Sequence, residues 1–172
     1  MRLFIAIKIP KEISEKLRLI QLQFKGLAKI KFVNSFHCTL KFLGEVDEEL
    51  LDKIKNRLNK TKFHSFKTKI KDIGSFPNNK RIEVVWVGIN GKIMELQKEI
   101  DGNLLNLFPN DEKFHGHITL GRVKFIKKKD EFMDKLKIRF EEELLINEFE
   151  LIRSDLSKDG SRYTVLEAYK LT

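Results

Sequence analysis

The chain has 172 residues, 41% of them hydrophobic, with one cysteine, few glycines and prolines, and a formal charge of +9. That length fits one domain or two small lobes sharing a core, and the composition excludes a disordered or low-complexity chain. A single cysteine excludes an internal disulfide framework, and no run approaches the ~18 apolar residues that span a bilayer, so a cytoplasmic protein away from the membrane is expected. The positive surplus attracts phosphates over roughly a Debye length, ~8–10 Å, although a lysine- and glutamate-rich surface is also what heat adaptation produces. Charge therefore supports a nucleic-acid partner without establishing one.

Residues 2–9 read as a strand rather than a signal peptide, because Lys8 interrupts the apolar stretch, Pro10 ends it and no small-residue cleavage site follows. Ile13, Leu17, Ile20, Phe24 and Leu27 recur at helical spacing and predict one apolar face. Segments 29–33 and 37–43 read as strands, and Gly44 and Asp47 introduce a helix near 47–59, with Asp47 as its N-cap. A long strand over 63–73 closes a first half. The order then repeats: a strand at 81–89, a helix near 92–108 with Ile93, Leu96, Ile100 and Leu104 on one side, a strand at 114–123, a helix at 129–138, and strands at 144–153 and 162–171. Lys158-Asp159-Gly160-Ser161 has the chemistry of the turn between the last two. Two strand–helix–strand–helix–strand passes without a linker predict an α+β fold, one domain over residues 1–172.

Each pass carries the same tetrapeptide on the strand before its second helix: His37-Cys38-Thr39-Leu40 and His117-Ile118-Thr119-Leu120. With 4 His, 6 Thr and 22 Leu in the chain, chance predicts about 0.02 occurrences of His-x-Thr-Leu. On a strand the His and Thr face one way while the intervening apolar residues anchor the other face. Two imidazoles across a groove suit phosphoryl chemistry: one accepts a proton, the other donates one, and threonine hydroxyls bond the phosphate oxygens. The matched pair speaks against a purely structural role. Two other readings stay open. His115 and His117 alternate on one strand and form half of a metal site, although a zinc site needs a third protein ligand. A non-catalytic RNA-end-binding module would use the same charge and the lysines Lys127-Lys128-Lys129. Nothing marks Cys38 as a nucleophile.

At these residues the chain resembles the 2H phosphoesterase superfamily and, within it, the RNA 2′,3′-cyclic phosphodiesterases, also called 2′-5′ RNA ligases. The resemblance runs through the opening Arg2-Leu3-Phe4-Ile5-Ala6-Ile7, both motif blocks, Val84-Val85-Trp86-Val87-Gly88, and the closing Ser154-Asp155-Leu156 and Tyr163-Thr164-Val165-Leu166. It implies a bilobal α+β fold, two antiparallel sheets with pseudo-twofold duplicated units flanking a basic cleft, helices outside. It also implies metal- and cofactor-independent hydrolysis of a terminal 2′,3′-cyclic phosphate on RNA, with tRNA fragments among the candidate substrates, by a monomer that also joins or cleaves 2′-5′ linked RNA without ATP. His117 would be the base and His37 the acid, roles that the near-symmetry of the motifs leaves exchangeable. Thr39 and Thr119 would hold the phosphate, and Arg122 would bind it by charge. Phe42, at the corresponding place after His37, would stack on a base or belong to the core. Many relatives have Pro before the second motif's His; here Gly116 is expected to loosen the backbone.

Overall fold

A computed structural model describes residues 1–172. Nine strands and four helices follow in the order β1 (Arg2–Lys8), α1 (Lys11–Gln23), β2 (Ala28–Phe32), β3 (His37–Glu45), α2 (Leu51–Leu58), β4 (Phe66–Pro77), β5 (Ile82–Ile89), α3 (Ile93–Asn103), β6 (His117–Ile126), α4 (Lys129–Lys135), β7 (Glu141–Ile146), β8 (Glu148–Ser157) and β9 (Gly160–Lys170). The α+β class is as expected. Ile13, Leu17, Ile20, Phe24 and Leu27 are all buried, as are Ile93, Leu96, Ile100 and Leu104. The two apolar helix faces join one core with Leu3, Ile5, Ile7, Cys38, Leu40, Val85, Val87, Ile118 and Leu120. Alternate residues of β1, Phe4 and Ala6, point to the opposite face and form a small cluster of their own with Ile152. That second face carries the candidate site.

The strands form one antiparallel sheet rather than two, in the order β7-β4-β5-β6-β3-β1-β8-β9, with β2 beside β6. The bilobal character survives because β3 and β6 are bridged only at Cys38 and Ile118. Past that pair they diverge, and β2 takes the edge of β6 from Gly121 to Ile126. The division of the chain also departs from the expected halves. β4, expected to close the first half, pairs with β5 and β7. β8 and β9 extend the other half-sheet from β1. Alternation within a strand reports which face is buried, not which strand lies alongside, so this exchange leaves no mark on the hydrophobic pattern.

Local boundaries shift for physical reasons. The helix expected from 47 begins as a 3-10 turn over Glu48–Leu50, and Asp47 occupies the cap position without a side-chain cap bond. The strand expected over 144–153 is two strands separated at Asn147. β7 starts at the acidic run Glu141-Glu142-Glu143, which meets β4 at the ion pairs Lys67–Glu143 at 3.5 Å and Lys69–Glu141 at 3.2 Å. These pairs are exposed and add little; the apolar alternation of β7 begins only after them, with Leu144 and Ile146 buried.

Candidate active site

His37 is the first residue of β3 and His117 the first of β6. The bridge between Cys38 and Ile118, continued one step either way in antiparallel order, sets His37 beside Thr119 and Thr39 beside His117. Cys38 and Ile118 are buried in the core, while the four motif His and Thr residues are half-buried on the other face. Two cavities meet there. One of about 440 Å³ is lined by Thr39, Phe42, Phe76, His115 and His117 among others. The other, about 270 Å³, is lined by Phe4, His37, Thr39, Thr119, Arg122 and Tyr163. Each histidine thus opens onto a different side, with Thr39 and Phe42 shared.

A regular strand would turn the fifth residue after each histidine into the core. Both strands avoid this with a bulge at the same place. Ala6 faces Thr39 and Ile5 faces Lys41, so Leu40 is skipped. Trp86 faces Thr119 and Val85 faces Gly121, so Leu120 is skipped. Each bulge reverses the side-chain parity and brings Phe42 and Arg122 to the histidine face. Phe42 is 72% exposed, which removes the core alternative. In β6 the carbonyl of the extra residue is not orphaned: Leu120 O accepts the Val33 N–H at 3.1 Å and the Gln21 amide Nε2–H at 2.9 Å. Gln21 gives no signal in the sequence, because a polar residue on a helix ordinarily faces water.

The two imidazoles have different electrostatic settings. His117 Nδ1 lies 2.7 Å from His115 O. A carbonyl only accepts, so Nδ1 carries the hydrogen and the neutral ring leaves Nε2 as a free acceptor. Burial lowers the His117 pKa, the bond to His115 opposes this, and nearby His115 and Arg122 lower it further. Burial also brings His37 down to about 4, with Lys8 adding to the effect. Lys8 stands opposite His37 across β1 and β3. The His37 ring is walled edge-on by Tyr163 at 5.4 Å and Phe4 at 6.0 Å, and His117 by Phe76 at 4.9 Å. Both rings are therefore neutral in the free protein near pH 7. Burial pushes the Cys38 thiol up to about 12, which disfavours the thiolate that nucleophilic attack requires.

The chain is similar to known proteins over almost its whole length. The profile described as LigT like Phosphoesterase matches residues 7–86. A protein of Methanocaldococcus jannaschii named RNA 2′,3′-cyclic phosphodiesterase is 41% identical over 178 residues, covering 98% of this chain and 100% of the relative. The chain belongs to this phosphodiesterase family. An RNA 2′,3′-cyclic phosphodiesterase of Archaeoglobus fulgidus is 35% identical over 178 residues, with 99% and 100% covered. Among solved structures, TT0787 of Thermus thermophilus superposes with a TM-score of 0.87 at 27% identity, covering 99% of this chain and 98% of that one. Escherichia coli LigT complexed with 3′-AMP shares the fold, with a TM-score of 0.76 at 24% identity over 99% and 98% of the two chains.

Two features of this phosphodiesterase-family chain refine the reading of its second motif. Gly116 does not loosen the backbone: a Cβ there would lie 2.3 Å from Ile89 O and 3.3 Å from Ile93 Cγ2. Its carbonyl also accepts the Ile89 N–H at 3.1 Å, so the glycine is a close-packing requirement. The His115 and His117 rings are 6.2 Å apart, and His115 lies against Trp86 at 4.8 Å. No group of three or more His, Cys, Asp or Glu side chains is placed to hold a metal ion. His64 lies outside both cavities, within 3.1 Å of the Thr172 hydroxyl.

Proposed function

We propose that the chain hydrolyses a terminal 2′,3′-cyclic phosphate on RNA to a 2′-phosphomonoester, acting as one domain over residues 1–172. The observation that carries this is the His115 carbonyl bonded to His117 Nδ1, which leaves Nε2 as a base in one cavity while His37 occupies the other. Water attacks phosphorus from the His117 side, and its proton passes to Nε2. The bond from phosphorus to O3′ breaks in line, and His37 gives O3′ its proton. His37 is neutral when free; the negative phosphate raises its pKa and supplies the charged form on binding. Thr39 and Thr119 hydroxyls donate to the non-bridging oxygens, and the Arg122 guanidinium adds a charge-assisted bond.

In-line departure toward His37 puts the terminal ribose in the 270 Å³ cavity, which continues past Ser35, Arg122, Ser161 and Tyr163 into a further space of about 170 Å³ reaching Lys31. The upstream strand follows that path. Phe42 stands between the two main cavities and offers its ring to a base. The space on the His117 side is far larger than a water molecule, which favours entry of a 5′-hydroxyl and joining of 2′-5′ linked RNA by the same chemistry. No helix is long and apolar enough to cross a membrane. We infer a cytoplasmic monomer acting on RNA ends such as those of tRNA fragments; the single buried cysteine fits a reducing compartment.

The test is incubation in excess EDTA with a short RNA ending in a 2′,3′-cyclic phosphate, followed by identification of the opened product. The 2′-phosphate is expected, with His37→Ala and His117→Ala each slower by about 10²–10⁴-fold. Activity lost only on chelation would favour a metal at His115 and His117. Tight binding of the RNA end without turnover would leave a binding module.

A further inference from the structure

Lys41 is the one lysine among the buried residues, 3% exposed. It follows the β3 bulge and pairs with Ile5 of the core face, so its side chain leaves the cleft and enters the layer beneath α3. Its Nζ donates to Asp101 Oδ1 at 2.5 Å and to Pro109 O at 2.8 Å, and lies 3.4 Å from Asp111 Oδ2. The second Asp101 oxygen accepts the Asp111 N–H at 2.7 Å. A buried charge persists only when paired and hydrogen-bonded, so these groups stand or fall together.

What they tether is the approach to the second histidine. Residues 109–116 have no regular structure, and residues 109–115 make no backbone–backbone hydrogen bond. Their backbone is held at the near end by Lys41 on Pro109 and Asp101 on Asp111. At the far end His115 O takes the proton-bearing Nδ1 of His117. We infer that Lys41 is a positioning residue for His117, acting through Asp101, Pro109 and Asp111 on the segment whose His115 carbonyl selects the imidazole tautomer. The inference rests on the proposed role of His117 as base. It makes β3 serve both histidines: His37 and Thr39 on the cleft face, and the anchor of His117 on the core face. In the sequence Lys41 belongs to the first motif block, and only the bulge turns it inward.

The test combines Lys41→Met with Asp101→Asn, so that no buried carboxylate is left without its cation. ¹⁵N NMR of the His117 ring reports the tautomer, while kcat and KM are measured on the cyclic-phosphate RNA and folding is checked by circular dichroism. The parent is expected to show Nδ1–H alone. The double variant is expected to show a mixture of tautomers and a kcat lower by about tenfold to a hundredfold, with KM changed less than about threefold. A folded double variant that keeps the parent tautomer and the parent kcat overturns the inference, even if it melts at a lower temperature. Should the double variant not fold, Asp101→Asn alone decides, because its amide keeps only one of the two acceptor oxygens that face Lys41 and the Asp111 N–H: a weaker shift in the same direction supports the role, and none overturns it. The tautomer reading needs no turnover, so an inactive parent would refute the proposed reaction separately.

Discussion

His37 loses its proton to burial, and that loss has a thermodynamic signature. The ordinary histidine pKa of 6.5 applies to the unfolded chain, whereas the folded value is about 4. The unfolded state therefore binds the proton first as pH falls. The contribution of a neutral His37 is complete above about pH 6.5 and is lost progressively toward pH 4, by at most about 3 kcal/mol and less where solvent screens the ring. His117, lowered in the same direction, adds to the slope. Between pH 7 and pH 4 the parent is expected to lose more melting temperature than His37→Asn, by several degrees. Parallel melting curves across that range would show that His37 is not held neutral by its surroundings. The same burial gives the substrate a part in the proposed mechanism, since an anion entering beside Arg122 and His37 would restore the charge of the acid.

At the scale of the element, the bulge in β6 matters most, because it alone brings Arg122 to the cleft face. Gln21 of α1 supports it by donating to Leu120 O and to Val33 O at 3.0 Å. Replacing Gln21 with Leu leaves Leu120 O with one fewer donor and the buried amide's place apolar, at a cost of about 1–3 kcal/mol. The expected kinetic mark is a several-fold rise in KM for cyclic-phosphate RNA with a smaller change in kcat, because Arg122 drifts while the histidines stay. Unchanged KM alongside a lower melting point would show that the bulge holds without the amide. The helices α1 and α3 are legible in the sequence because Ile13, Leu17 and Ile20, and Ile93, Leu96 and Ile100, repeat at helical spacing, and these are the residues the core buries. So is the motif pair, whose His and Thr share a face. The bulges are not: Leu120-Gly121 and Leu40-Lys41 look like ordinary strand, and one skipped residue changes every later side chain's direction. For the same reason Lys41 reads as part of a motif block and not as a core cation, and Phe42 is left between two faces.

For the whole molecule, the surplus charge of +9 has a specific outlet beside the cleft. On the paired β2 and β6, Lys31 faces Arg122 and Lys29 faces Phe125, all four on the side away from the core. This strip continues the path from the 270 Å³ cavity through Lys31. Lys29→Ala with Lys31→Ala is expected to lower kcat/KM for an oligonucleotide several-fold while sparing a cyclic mononucleotide, and to flatten the logarithmic salt dependence of oligonucleotide binding by about 1.4, at roughly 0.7 per lost phosphate contact. Equal losses on both substrates would place the upstream strand elsewhere.

The exchange of strands between the half-sheets also orders events in time. β1 is made first, yet the strand that covers its outer edge is β8, and Tyr163, which walls His37, lies on β9. Both histidine motifs precede both of those strands in the chain. The growing chain thus carries His37 without the Tyr163 wall, whereas Phe76 and Trp86, which flank His117, are already made before it. The acid proposed at His37 therefore acquires its setting only once β9 has been made.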